Sequence, residues 1–284
     1  MLCREFKESV EKSYFCYSKL DIPSGFNLGR CPDFRRREVS IISSLPGQGK
    51  TAFIISVLNN LITGGKFNAA VFLPDMPTAE FFSRLTASRA GVAYSKVAKG
   101  QAAKADWALF TKTLPELSKA GLWISAFRRF SSSSVYAQAL ELARELKSQK
   151  KKLDIIFIDS INCLTNFSGR RSDKTEILRA LSRLAEDTDT AVVCTYSPEN
   201  PRLEKTAACA RLQLRDFRAC GINEDSVSLI LNIAGPEESD ADTISKSEAE
   251  LNIVWRNMGT YGYSLPIKFD RDTLKFYSET LPPK

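Results

Sequence analysis

The chain has 284 residues, 43% hydrophobic and 26% charged, with 40 basic against 33 acidic side chains and a net charge of +7. That composition excludes a disordered, collagen-like or coiled-coil chain, and the moderate basic excess is compatible with nucleic acid without requiring it. The absence of any histidine excludes Ser-His-Asp and Cys-His nucleophile systems and histidine-ligated metals.

The seven cysteines, at positions 3, 16, 31, 163, 194, 209 and 220, are scattered and form no C-x-x-C pair. A structural zinc or a disulfide framework is therefore not expected, and a reducing compartment is. The opening MLCREFKESVEK is charged and has no apolar signal region, and no stretch approaches the about 20 apolar residues of a membrane span. These features predict a soluble, cytoplasmic protein with no membrane contact.

In chain order, residues 1–13 predict a short helix, since Leu2, Phe6 and Val10 share one face. Residues 14–37, punctuated by Pro23, Gly25, Gly29 and Pro32, read as a connection. Glu38–Ser43 predicts a strand, Lys50–Leu61 a helix closed by Gly64 and Gly65, Asn68–Leu73 a strand, and Pro77–Arg89 a helix with proline in its first turn. Residues 94–119 read as helical and Leu122–Ser125 as a short strand. Ser133 or Ser134 could cap a helix whose apolar positions are Val135, Ala139, Leu142 and Leu146, and Lys150–Lys152 suit its last turn. Leu153–Ile158 predicts a buried strand, Asp173–Asp187 a helix and Thr190–Tyr196 a strand. Val227–Ile233, Leu251–Arg256, Leu265–Phe269 and Leu274–Tyr277 are further strand candidates, and the acidic run 236–250 reads as a solvated loop. Alternation gives way to strands alone, which predicts an α/β fold: a mostly parallel central sheet flanked by helices and extended by C-terminal antiparallel strands.

The segment Ser44-Leu-Pro-Gly-Gln-Gly49-Lys50-Thr51 matches the P-loop pattern G-x-x-x-x-G-K-[ST] except that serine replaces the first glycine. An apolar strand precedes it and a helix follows. In such a loop, small residues let backbone N–H groups curl round phosphates, and the helix N-terminus adds partial positive charge. Lys50 would reach the β and γ phosphates and the Thr51 hydroxyl would ligate Mg²⁺. The expected nucleotide contacts are Ser44, Pro46, Gly47, Gln48, Gly49, Lys50, Thr51 and Ala52, with ATP and Mg²⁺ as cofactors. Asp159, at the end of LDIIFID, is placed as a Walker B carboxylate for the magnesium shell, where ligands of open α/β sheets bind. Asp75 follows the strand NAAVFL and could orient the attacking water or simply cap the next helix.

These segments together resemble the C-terminal motor domain of the DnaB-type replicative helicases, a RecA-like ATPase. IPSGF (22–26) resembles that family's I-P-T-G-F entry, SLPGQGKTAF its P-loop, and LPDMP (73–77) its S-L-E-M-P. KVAKGQAAKADW (96–107) is similar to its K-I-x-x-G-Q-x-x-x-x-D-W segment, IIFIDSINCL (155–164) to its Walker B strand, and RSDKTEILRALSRLAED (171–187) to the helix after it. LRD (214–216) stands where the family has L-R-E, and IVWRN (253–257) where it has K-x-R-N-G.

The resemblance implies a linker-type helix over 1–20 and a RecA-like ATPase domain over 21–284. It implies a ring-shaped homo-oligomer of about six subunits, single-stranded DNA in its channel and replication proteins as partners. Arg256 would be an arginine finger offered to the neighbouring subunit's ATP. Arg215 and Arg218 would face single-stranded DNA, with Arg170 and Arg171 a second candidate pair, though a solvated charge pair describes those two as well. The departures are specific. Asp75 replaces the family's catalytic glutamate, Ser197 falls near its glutamine after the sensor strand, Val254 replaces its hairpin lysine, and LRDFRACGINED carries an insertion. The family's primase-binding N-terminal domain has no counterpart in this sequence. These departures raise a second reading, a catalytically weakened ATP-binding accessory protein of a replication complex.

Overall fold

The apolar runs of the sequence become the strands of one nine-stranded sheet. The computed structural model describes residues 21–26, 32–65, 67–126, 131–165, 174–198, 211–235, 246–257 and 261–278. The helix expected over 1–13, the linker unit 1–20, and Arg170 and Arg171 lie outside the described residues.

Two short strands, β1 (Asp21–Ile22) and β2 (Phe34–Arg35), pair antiparallel inside the segment expected to be a plain connection. The main elements follow as β3 (Val39–Ser43), α1 (Lys50–Gly64), β4 (Asn68–Leu73), α2 (Thr78–Ala90), α3 (Tyr94–Ala98), α4 (Lys104–Lys119), β5 (Gly121–Ala126), α5 (Ser132–Ser148) and β6 (Ile155–Ile158). After them come α6 (Lys174–Thr188), β7 (Ala191–Tyr196), α7 (Leu214–Arg218), β8 (Leu229–Ala234), β9 (Lys246–Arg256), β10 (Tyr263–Asp270) and β11 (Lys275–Tyr277). The sheet order is β11-β10-β9-β8-β3-β7-β6-β4-β5. From β8 to β5 every pairing is parallel, while β9, β10 and β11 extend the β8 side antiparallel. No described helix is long and apolar enough to cross a membrane.

Strand alternation divides the apolar side chains between two cores. Ile42, Val71, Phe157 and Val193 point to the face covered by α1 and α2, with Phe53, Leu58, Phe81 and Leu85 from those helices. Ile41, Phe72, Ile156 and Val192 point to the other face, against Val135 and Ala139 of α5 and Ile177, Leu178 and Leu181 of α6. A sheet buried on both faces explains why LDIIFI and NAAVFL read as nearly continuous apolar runs.

Some boundaries differ from the sequence expectation for identifiable reasons. Residues 246–250 belong to β9 and not to a solvated loop: Ala249, Leu251 and Ile253 point inward, Glu248 stands opposite Lys268, and Arg211 binds Glu250. Pro77 precedes α2 rather than opening it, and its carbonyl accepts the N–H groups of Glu80 and Phe81. The cap of α5 is Ser131, whose Oγ accepts from Ser134 N while Ser134 Oγ accepts from Ser131 N, a reciprocal capping box. Residues 94–119 form two helices, α3 and α4, interrupted at Gly100 with φ 67°.

At the amino ends of the central strands lies a buried ion pair absent from the sequence reading. Arg36 and Asp154 have side chains only 10% and 8% exposed. Arg36 also donates to the carbonyl of Asp189, and Asp154 Oδ2 accepts from Asn68 N at 2.7 Å, so one cluster joins the approach to β3 to β4, β6 and β7. Removing one partner strands a buried charge. Asp154→Ala is therefore expected to lower unfolding free energy by about 3–5 kcal/mol in a urea titration.

Candidate functional site

The P-loop leaves β3, which lies between β7 and β8 in the sheet, and enters α1. Gly47 has φ 79° and Gly49 φ 91°, conformations that suit glycine. At Gly49 there is a second demand for a bare backbone: a Cβ would stand 3.1 Å from the Phe276 ring. That ring stacks on Phe269 and packs edge-on to Phe53, and Phe276 N donates to Ser56 Oγ at 2.8 Å, so β11 seats the aromatic floor of the loop against α1. At Gly47 nothing lies within 4 Å of the added Cβ, so the loop's outer side is open.

Ser44, in the place of the pattern's first glycine, is fully buried and has a use for its hydroxyl. Lys50 Nζ donates to Ser44 O at 3.1 Å, Ser44 Oγ at 3.2 Å and Leu45 O at 3.1 Å. Gln48 Oε1 accepts from Leu45 N at 3.3 Å and helps close the turn. Pro46 is exposed and Ala52 is buried under the helix start. Burial pulls the Lys50 ammonium down to about 8, partly opposed by the Asp159 charge.

Asp159 follows β6 and is 9% exposed. Its Oδ2 accepts from Thr51 Oγ1 at 2.6 Å, and its Oδ1 accepts from Thr195 Oγ1 at 2.5 Å. The structure thus brings Lys50, Thr51 and Asp159 together from segments more than a hundred residues apart, as the sequence reading expects. Hydroxyl and carboxylate oxygens are hard donors, and one or two of them with phosphate and water is how Mg²⁺ is commonly held. The donor set fits that ion. Just past Asp159, the Asn162 amide donates to Ser197 O at 2.8 Å and accepts from Ser197 N at 2.9 Å, tying the loop after β6 to the end of β7.

The other predicted residues fall in three places. Asp75 is exposed in the bend after β4. The N-cap of α2 is Pro77 without a side-chain cap bond, so Asp75 does not cap the helix. Arg256 ends β9 opposite Leu229, which pairs with Ser40 near the start of β3. It therefore lies toward the amino edge of the sheet, away from this chain's own P-loop. Val254, at the β-bulge where β9 shifts register against β8, is turned into the second core and 8% exposed. Arg215 is exposed on α7, whereas Arg218 Nε donates to Glu224 Oε2 at 2.9 Å, and that contact holds the Glu224 carboxyl down to about 2. Sequence reasoning misses Thr195; the signal available is a hydroxyl at the end of the strand neighbouring the Walker B strand.

The fold and this loop define the class: a P-loop NTPase domain of RecA-like architecture. The chain belongs to the DnaB-like helicase C-terminal domain family, whose profile matches residues 27–278. It is 24% identical over 261 residues to the replicative DNA helicase DnaB of Geobacillus stearothermophilus, covering 90% of this chain and 56% of that protein. It is 25% identical over 262 residues to the replicative DNA helicase DnaC of Bacillus subtilis (strain 168), with the same coverages of 90% and 56%. The chain thus spans a little over half the length of these curated relatives. Among solved structures it is similar to an isolated ATPase domain, with a TM-score of 0.79 at 21% identity, covering 96% of this chain and 97% of that one. It is also similar to a DnaB-like replicative helicase whose structure was described with its interactions with primase, with a TM-score of 0.74 at 20% identity, covering 86% and 58%.

Lys50 gives a pH test. In the empty site it is charged below a pH of about 8 and increasingly neutral above it. A phosphate beside it favours the charged form, so nucleotide binding takes up protons where the empty site has lost them. Calorimetry in buffers of different ionisation enthalpy should show almost no uptake near pH 6.5 and about half a proton per nucleotide near pH 8, and Lys50→Ala should abolish it.

Proposed function

We propose that residues 21–284 are an ATP-driven motor domain of the DnaB helicase type, with residues 1–20 as a linker helix to a neighbouring subunit. The observation that carries this reading is the convergence of Lys50, Thr51 and the buried Asp159 beneath an open P-loop. ATP would lie over the loop from Ser44 to Ala52. Lys50 would exchange its bonds to Ser44 and Leu45 for the β and γ phosphate oxygens, a transfer aided because those carbonyls hold it without a countercharge. Thr51 and Asp159 would hold Mg²⁺, which supplies charge neutralisation at the phosphates. Asp75, with neither a helix to cap nor a cation pairing it among the described residues, would orient the attacking water.

Arg256 cannot serve its own site from the amino edge of the sheet, and in this reading it serves the site of the next subunit in a ring. Arg215 would contact the backbone of single-stranded DNA, with Arg218 held beside it by Glu224, and Arg170 and Arg171 as a second pair. The second reading, an ATP-binding accessory protein that turns over slowly, is favoured by the short carboxylate at Asp75, by Val254 buried where the family carries a lysine, and by Ser197 with its backbone occupied by Asn162.

Steady-state ATP hydrolysis with and without single-stranded DNA separates the two. The motor reading expects turnover that rises with DNA and vanishes in Lys50→Ala. Tight ATP binding without DNA-stimulated turnover would replace it with the accessory reading. Because reach at a reacting centre is worth about a hundredfold per ångström, Asp75→Glu is expected to raise turnover about ten- to a hundredfold, measured as kcat at saturating ATP. A fall would place the water-orienting group elsewhere.

A further inference from the structure

The parallel register dictates what stands beside the Walker B carboxylate. Ile158 of β6 pairs with Cys194 of β7, so the next residues along, Asp159 and Thr195, are neighbours. Both fall on the α1 face, in step with Phe157 and Val193, and Thr195 is 0% exposed. Its hydroxyl has no water to turn to and donates to Asp159 Oδ1 at 2.5 Å, while Thr51 occupies Oδ2 at 2.6 Å.

The terminal torsion of an aspartate is broad and roughly two-fold, so a carboxylate with one donor can swing. Donors on both oxygens remove that freedom. A β-branched threonine in a strand is itself stiff at χ1, which makes Thr195 a fixed donor rather than a follower. We propose that Thr195 is a positioning residue for the magnesium site: it holds Asp159 so that the Thr51 proton stays on Oδ2 and the Thr51 oxygen keeps its lone pairs for the metal. The inference rests on the nucleotide-site reading given above. It predicts a specific split. The P-loop backbone and Lys50 grip phosphate without Thr195, so metal-free nucleotide affinity should not depend on it, whereas metal affinity should. Loss of an outer-shell hydrogen bond of this kind typically costs about 10–100-fold in metal affinity.

The test is a titration of Mg²⁺ against the full chain with a fluorescent ATP analogue, repeated with EDTA. Thr195→Val, which keeps the shape and removes the hydroxyl, is expected to raise the half-saturating Mg²⁺ about tenfold or more while leaving analogue affinity in EDTA within about twofold. Thr195→Ser, which restores the donor, is expected to return close to wild type. Thr195→Ala serves as the second hydroxyl-free variant if valine disturbs folding, with a thermal melt on each. An unchanged Mg²⁺ requirement in a folded hydroxyl-free variant overturns the proposal. So does an equal loss of affinity with and without the metal, which is the mark of a merely structural residue. Failure of the nucleotide-site reading looks different: the wild-type chain itself would then bind the analogue in neither condition, and the proposal would fall with it.

Discussion

Asp159 carries the constraint on which the site depends. Its carboxylate is 9% exposed, and in that setting an ionised group is tolerated only if its oxygens are satisfied. The Thr51 hydroxyl comes from the first turn of α1 and the Thr195 hydroxyl from β7, so the bonds that satisfy the charge also lock the P-loop helix to two strands of the sheet. Lys50 feels the same carboxylate, which partly offsets the burial that depresses its ammonium. Sheet order, helix placement and the charge state of the phosphate-binding lysine therefore meet at one residue.

Much of this is legible in the sequence because it is local. Ser44–Thr51 lies in one continuous strand-loop-helix, and β3, β4, β6 and β7 are apolar runs whose burial on both faces leaves little ambiguity. What is not legible is set by register. Nothing adjacent in sequence to Thr195 marks it as the partner of Asp159, and nothing in REVSI or LDIIFI marks Arg36 and Asp154 as a pair; parallel pairing brings them together. The acidic run before β9 misleads for a related reason, since Glu248 and Glu250 suit a solvated loop as well as the outward side of a strand whose alternate residues are buried. Val254 is a further case: its alignment position speaks of a lost lysine, but only the bulge opposite Ile230 and Leu231 shows that the side chain turns into the core.

The geometry also sorts the site residues by where they can act. Lys50, Thr51, Asp159 and, after β4, Asp75 gather at the carboxyl end of the parallel strands, while Arg256 sits level with Ser40 toward the other end. A cation placed there can complete a site only on another molecule. That division suits an enzyme whose catalytic charge is assembled between subunits, and it makes the weakened positions informative. Asp75 and Ser197 alter groups on the chain's own side of the phosphate, and Val254 alters what it would offer its neighbour.

The most direct test is the structure of the chain with Mg²⁺ and a non-hydrolysable ATP analogue. The expected result has the analogue's phosphates over Gly47 and Gly49, Lys50 moved from Ser44 and Leu45 to the phosphate oxygens, and the metal beside Thr51 with both hydroxyl bonds to Asp159 retained. An analogue bound away from this loop, or Lys50 still on Ser44 and Leu45 with nucleotide present, would contradict the central role given to Asp159 and its loop.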